Sequence, residues 1–147
     1  MKPITTSFFV RKVPGRWRKL IATTIRWKLN TINIYLISWL QGHLVSIHSE
    51  AENQFIFDTF HDIAARSFWI GAKKVNSSWT WSDGTAWGSY TKWGGWGGPG
   101  SSPSGDGDCV EMTAEFTWDS ESTWNDLPCA GLLDLPFVCQ RPKTTSE

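Results

Sequence analysis

From Gly84 to Asp108 the chain places nine of its 13 glycines, the prolines Pro99 and Pro103, and the aromatic residues Trp87, Tyr90, Trp93 and Trp96, with no repeat of apolar side chains at helix or strand spacing. Each glycine costs a helix interior about 1 kcal/mol relative to alanine, and no apolar period is present to bury a face. The stretch from Thr85 to Asp108 therefore reads as one long loop, and long loops inside compact domains are usually functional. The remaining residues must build a scaffold around it.

Length and composition fit one such scaffold. The chain has 147 residues, 40% of them hydrophobic, with 14 basic and 14 acidic side chains, which is the balance of a single globular domain and too apolar for a disordered chain. No stretch approaches the roughly 20 apolar residues of a membrane-spanning helix. Eleven tryptophans are a heavy load for this length, suited to a rigid core or a partly wet contact surface.

The scaffold signals begin at Gly42. His43-Leu44-Val45-Ser46-Ile47 reads as a short strand or a turn into a helix, and Ser49-Glu50-Ala51-Glu52 as a capping box that starts a helix. Ala51, Phe55, Ile56, Thr59 and Ile63 recur near helical spacing, acids open the helix and Arg66 closes it. Phe68-Trp69-Ile70-Gly71-Ala72 suits a buried strand, and Ser78-Trp79-Thr80-Trp81-Ser82 alternates into an Asp83-Gly84 turn. After the loop, Cys109 to Thr113, Ser122 to Asp126 and Pro136 to Cys139 read as three more strands.

Charge divides the chain unevenly. Residues 1–49 carry eight basic residues and no acid, the first acid being Glu50. Such a head suggests a nucleic-acid arm, a targeting peptide or an anionic-membrane patch. Only Phe8, Phe9 and Val10 follow Lys2 before Arg11 and Lys12 interrupt, so the continuous apolar run of a secretory signal is missing. Residues 1–40 are expected to be a poorly ordered basic segment, 41–143 the folded domain and 144–147 a tail, with no nucleic-acid partner.

The chemistry-bearing residues exclude most enzyme classes. Cys109, Cys129 and Cys139 show no metal-ligand spacing, so disulfide bonding is the better reading than zinc. His43, His48 and His61 have no nucleophile partner at motif level, and no catalytic residue is assigned. Asn76-Ser77-Ser78 is an N-glycosylation acceptor between two strand signals, placing Asn76 on a surface turn.

The order of these pieces resembles the C-type lectin-like domain. The likeness rests on Gly42-His43-Leu44-Val45-Ser46-Ile47, Ser49-Glu50-Ala51-Glu52-Asn53, Trp69-Ile70-Gly71, Trp79-Thr80-Trp81-Ser82-Asp83-Gly84, Asp108-Cys109-Val110-Glu111-Met112, Trp124-Asn125-Asp126 with Cys129, and Phe137-Val138-Cys139. It implies an extracellular α+β fold, with helices flanking small antiparallel sheets and a long Gly-rich loop that carries the binding site. It also implies a Cys109–Cys129 disulfide and a second bridge from Cys139 to a cysteine near Leu36 to Gln41, where this chain has none. Residues 1 to about 40 are accordingly expected not to be the native first part of such a domain.

In sugar-binding members, the resemblance implies, calcium is held by a Glu-Pro-Asn or Gln-Pro-Asp triplet in the loop, a Glu shortly before a cysteine, and the Asn-Asp of a Trp-Asn-Asp motif. Calcium takes 6 to 8 hard oxygen ligands, so such a set makes physical sense. Here Asn125 and Asp126 supply the last pair, Gly98-Pro99-Gly100 stands at the triplet, Gly107 replaces the Glu, and Asp106 and Asp108 flank it. The expected metal ligands are Asp106, Asp108, Asn125 and Asp126, and the expected sugar contacts Trp96, Pro99, Asn125 and Asp126. For Asn125-Asp126 the plain alternative is a turn whose side chains cap local N–H groups; for Trp93 and Trp96 it is loop core. The function expected is a secreted glycan-recognition module, calcium-assisted through the loop, for glycans or glycoproteins; the alternative is a calcium-independent module for a protein ligand.

Overall fold

The computed structural model describes residues 7–13, 16–20, 42–62, 67–94, 101–114, 121–129 and 135–141. These residues form an α+β domain. Two strands come from the basic head, β1 (Ser7–Val13) and β2 (Arg16–Leu20). There follow β3 (His43–Leu44), the helix α1 (Glu50–Phe60), β4 (Ser67–Val75), β5 (Ser78–Trp81), β6 (Cys109–Thr113), β7 (Trp124–Leu127) and β8 (Phe137–Arg141).

The strands form one mixed sheet in the order β2-β1-β8-β4-β6-β7, with β3 also on β8 and β5 also on β4. β8 runs parallel to both β1 and β4, and the other pairings are antiparallel. The first six residues of β4 are all buried, as expected of a central strand covered on both faces. The turn that the sequence places at Asp83-Gly84, after β5, is present, with the Gly84 N–H donating to the Trp81 carbonyl at 3.1 Å; the hairpin that joins β4 to β5 turns at Asn76-Ser77. Both residues have positive φ, 49° and 64°, which a two-residue turn matching the twist of a hairpin requires and asparagine tolerates.

Helix α1 starts where the capping box places it. Ser49 Oγ accepts from the Glu52 N–H at 3.2 Å, and Glu52 Oε2 reaches back to the His48 N–H at 2.7 Å. Its buried stripe is Asn53, Ile56, Phe57 and Phe60, which shares Ile56 with the stripe Ala51, Phe55, Ile56, Thr59 and Ile63 that the sequence suggests but is rotated away from Ala51, Phe55 and Thr59. A polar residue opens the true stripe, which hides it from an apolar count. Ile63 and Arg66 lie outside the described residues.

Asn53 is fully buried because it is fully used. Its Nδ2 donates to the Ser122 carbonyl at 2.9 Å, and its Oδ1 accepts the Trp124 indole N–H at 2.8 Å. A buried amide left without such partners would cost roughly 1–3 kcal/mol. The pair fixes α1 against the strand that carries the Trp-Asn-Asp motif.

Ile47, Ile56, Phe60, Phe68, Ile70, Met112, Trp124 and Val138 form the centre of the core. Trp124 is the hub of its aromatic part. The Trp81 and Trp93 rings meet it edge-on at centroid distances of 5.7 and 5.9 Å, the arrangement that the ring quadrupoles favour. A second, smaller cluster holds Trp69, Phe137 and Cys139.

Candidate functional site

The site lies where the chain returns from the long loop and crosses the end of β7. Strand pairing sets its floor: β6 and β7 are antiparallel, with Glu111 opposite Asn125 and Val110 opposite Asp126. The disulfide between Cys109 and Cys129 ties the base of the loop to the segment after β7.

Onto this floor the loop lays Ser102-Pro103-Ser104-Gly105. Ser102 Oγ donates to Asn125 Oδ1 at 2.7 Å. The Ser104 N–H donates to Asp126 Oδ1 at 2.7 Å, its Oγ to the same oxygen at 3.1 Å, and the Gly105 N–H to Asp126 Oδ2 at 2.8 Å. Asn125 Nδ2 turns the other way and donates to the buried Glu111 Oε1 at 3.2 Å. Ser104 Oγ also contacts Asp106 Oδ1 at 2.6 Å.

Electrostatics agree with this geometry. Asp126 is wholly buried, and burial by itself raises a carboxyl pKa. The N–H groups of Ser104 and Gly105 and the Ser104 hydroxyl outweigh that effect, so the carboxyl is held below its ordinary range. Asp126 is an anion whose charge is answered by the loop.

Two glycines permit the contact. Gly105 has φ of 87°, in the region L side chains rarely adopt. A Cβ on Gly107 would stand 1.9 Å from the Leu127 carbonyl carbon. The loop backbone therefore lies directly on the end of β7, and the position expected to hold a ligand Glu has no room for a side chain.

These observations decide the fit of a calcium ion among the described residues. Asn125 Oδ1 and both carboxylate oxygens of Asp126 already accept hydrogen bonds, the Gly107 position is closed, and the groups that Ser102 and Ser104 bring to the pair are neutral hydroxyls and an N–H. No group of three or more His, Cys, Asp or Glu side chains is placed to hold a metal among the described residues. The described residues do not fit a calcium cage.

Of the residues singled out from sequence, the structure brings Asn125, Asp126 and, through Ser104, Asp106 together. Asp108 is exposed just before β6, and its carbonyl accepts the Lys74 N–H at 2.8 Å. Trp96 and Pro99, with Gly98 and Gly100, lie outside the described residues. Trp93 packs into the aromatic stack, 5.0 Å from Trp79 and 6.3 Å from Trp87. Asn76 is exposed at its hairpin tip. Sequence reasoning missed Ser102, Ser104 and Gly105. Their signal was a second proline flanked by two hydroxyls, beside an Asn-Asp pair that needs donors if it has no metal.

Comparison with known proteins now identifies the family. The pattern of the lectin C-type domain matches residues 38–141. This chain belongs to the C-type lectin family. It is 36% identical over 112 residues to the low affinity immunoglobulin epsilon Fc receptor of Mus musculus, covering 75% of this chain and 30% of that protein. It is 36% identical over 115 residues to a type-2 ice-structuring protein of Brachyopsis segaliensis, covering 74% of this chain and 56% of that protein. Against C-type mannose receptor 2 of Homo sapiens it is 33% identical over 119 residues, covering 76% of this chain and only 7% of the receptor. The chain thus spans well under two thirds of the length of these relatives. Among solved structures, human lithostathine shares the C-type lectin fold with a TM-score of 0.54 and 28% identity, over 72% of this chain and 76% of that one. The C-type lectin family is one of binding domains rather than enzymes.

Proposed function

We propose that this C-type lectin domain is a glycan-recognition module that works without calcium. The observation that carries the reading is the Asp126 carboxylate, whose oxygens accept three hydrogen bonds from Ser104 and Gly105. In a calcium-dependent lectin the same atoms hold the ion, and the ion holds the sugar. Here the loop's own donors do the positioning.

The contact surface is then the rim of the pinned loop. Ser101, Pro103, Ser104, Asp106 and Asp108 are exposed there. Hydroxyls both donate and accept and carboxylates accept, which suits the mixed donors and acceptors of a sugar ring. Asn125 and Asp126 support the rim from below. Trp96 and Pro99 extend the same loop in sequence and supply the apolar contact for a sugar face. Calcium at Asp106, Asp108, Asn125 and Asp126 is set aside on the hydrogen-bonding grounds above. Carbohydrate ligands accord with the family, and a disulfide accords with an extracellular site of action, since such bonds persist in oxidising compartments.

A second reading, a protein ligand, is favoured by Trp79 and Trp87. Both are only partly buried, and their rings stack at 6.0 Å and 25°, the kind of aromatic surface at which binding energy concentrates.

Binding of the purified chain to an array of glycans, in parallel with calcium and with EDTA, tests the proposal. The expected result is the same set of bound glycans in both buffers, weakened by Ser104→Ala. Binding present only with calcium overturns the calcium-free mechanism, and no glycan bound in either buffer favours the protein ligand.

A further inference from the structure

The β4–β5 hairpin carries a feature that the loop site leaves unused. Its register places Lys73 opposite Thr80 and Val75 opposite Ser78, and all four are exposed. Ala72 and Trp81 form a buried pair and Lys74 and Trp79 a partly buried one, on the other face. Among the described residues Val75 is the one exposed large hydrophobic side chain, at 45%. A single exposed valine is ordinary on a protein surface. What marks this one is its neighbour.

Val75 directly precedes Asn76, the acceptor of the Asn76-Ser77-Ser78 pattern, and pairs across the hairpin with Ser78, the hydroxyl residue of that pattern. No other Asn-x-Ser or Asn-x-Thr pattern occurs in the chain. Asn76 and Ser77 alone join the two strands, and both are exposed with positive φ, so the acceptor stands at the tip of a tight turn. A sugar on Asn76 is thereby held beside Val75, whose Cα lies about 3.8 Å along the chain. The ring of an N-acetylhexosamine has hydroxyls around its edge and C–H groups across its face. Laid on the Val75 methyl groups, that face and the valine both leave water.

We propose that the first sugar of an N-linked glycan on Asn76 packs on Val75, so that the glycan is a structural part of the hairpin. In its attachment Asn76 Nδ2 forms a bond to the anomeric carbon of a lipid-linked oligosaccharide pyrophosphate. The anomeric C–O bond breaks, the lipid pyrophosphate leaves and the amide nitrogen gives up one proton. The packing does not depend on whether the loop at Asn125 and Asp126 binds glycans.

Melting temperatures of the full chain made in two hosts test this. One is a secretory cell that keeps its N-glycans mannose-rich, the other a bacterial host that adds none. Part of the secreted chain is trimmed by an endoglycosidase to a single sugar on Asn76, and mass spectrometry counts the sugars. The intact and trimmed chains should melt together, about 2–4 °C above the unglycosylated chain. In Val75→Ser, which keeps the acceptor pattern, that gap should close, because the sugar and the side chain act through one contact. Val75→Tyr, with more apolar surface beside the sugar, should widen it. Each gap is measured within one sequence, so the cost of the substitution itself cancels. Should Val75→Ser fail to fold, Val75→Thr, which keeps the branched side chain and loses a methyl, must narrow the gap.

A gap that survives unchanged in Val75→Ser overturns the packing, since a glycan that acts only by restricting the unfolded chain does so whatever residue stands beside it. A gap that vanishes on trimming also overturns it, because the effect then lies in the outer sugars. So does a secreted chain that carries no sugar on Asn76.

Discussion

The Gly105 N–H lies 2.8 Å from Asp126 Oδ2, so the backbone of the long loop donates directly to the carboxylate of the Trp-Asn-Asp motif. The consequence is structural as well as functional. In this chain the loop is fastened to β7 by its own donors.

That fastening is sensitive to acid. Asp126 has a lowered pKa because hydrogen bonds from Ser104 and Gly105 outweigh burial, and Asp83 has one because bonds from Ser46 and Thr85 do the same. A carboxyl whose folded pKa lies below its unfolded value contributes stability that is complete above the unfolded value, near 3.8. It is lost as pH falls through the folded value. Urea midpoints should therefore be flat near neutrality and fall as the pH drops through and below the ordinary carboxyl value of 3.8. In Asp126→Asn, whose Nδ2 would meet the Gly105 N–H donor to donor, the fall should be shallower and start from a lower plateau.

Asn53→Ala should destabilise the domain by roughly 2–4 kcal/mol, because it strands the Trp124 indole N–H and the Ser122 carbonyl in the core. Denaturant unfolding followed by tryptophan fluorescence checks the size, and a shift of the native emission maximum reports the altered setting of Trp124. Asn53→Asp, which keeps the acceptor but buries a charge beside the Ser122 carbonyl, should be at least as damaging.

What the sequence made legible was local. The capping box at Ser49 and Glu52 involves neighbours in the chain, and short apolar runs such as Phe68 to Ala72 can only be buried. The stripe of α1 was harder because Asn53 opens it, and a polar residue enters a core only when distant partners satisfy it. The same holds at the site. Asn125 and Asp126 were visible as a motif, but Ser102 and Ser104 acquire meaning only when the loop folds back over more than 20 residues onto β7. Attention to Pro99 followed from its sequence position; among the described residues, the proline between the two serines that donate to Asn125 and Asp126 is Pro103.

Cys139 should behave as an inert thiol. It is free and fully buried, and burial pushes its pKa up to about 12. A thiol reagent at neutral pH should label it only after denaturation. Because the folded pKa is raised, its contribution to stability is complete below the ordinary thiol value of 9.0 and declines as pH rises toward about 12. Cys139→Ala should remove that alkaline decline.

Asn76 should accept a glycan when the chain is produced in a secretory cell. The acceptor sits at the exposed Asn76-Ser77 tip of the β4–β5 hairpin, where a transferase reaches it without unfolding the sheet. Enzymatic removal of N-glycans should lower the mass by one glycan and convert one asparagine to aspartate, and Asn76→Gln should abolish both changes.

The most direct test of the central claim is the melting temperature of the full chain in millimolar calcium against the same buffer with EDTA. A site filled at a hundredfold excess over its Kd adds about 2.7 kcal/mol, roughly 5 to 10 °C for a domain of this size. With the oxygens of Asn125 and Asp126 already engaged by Ser102, Ser104 and Gly105, the account predicts coincident transitions. A calcium-dependent rise of several degrees that disappears in Asp126→Ala would contradict it.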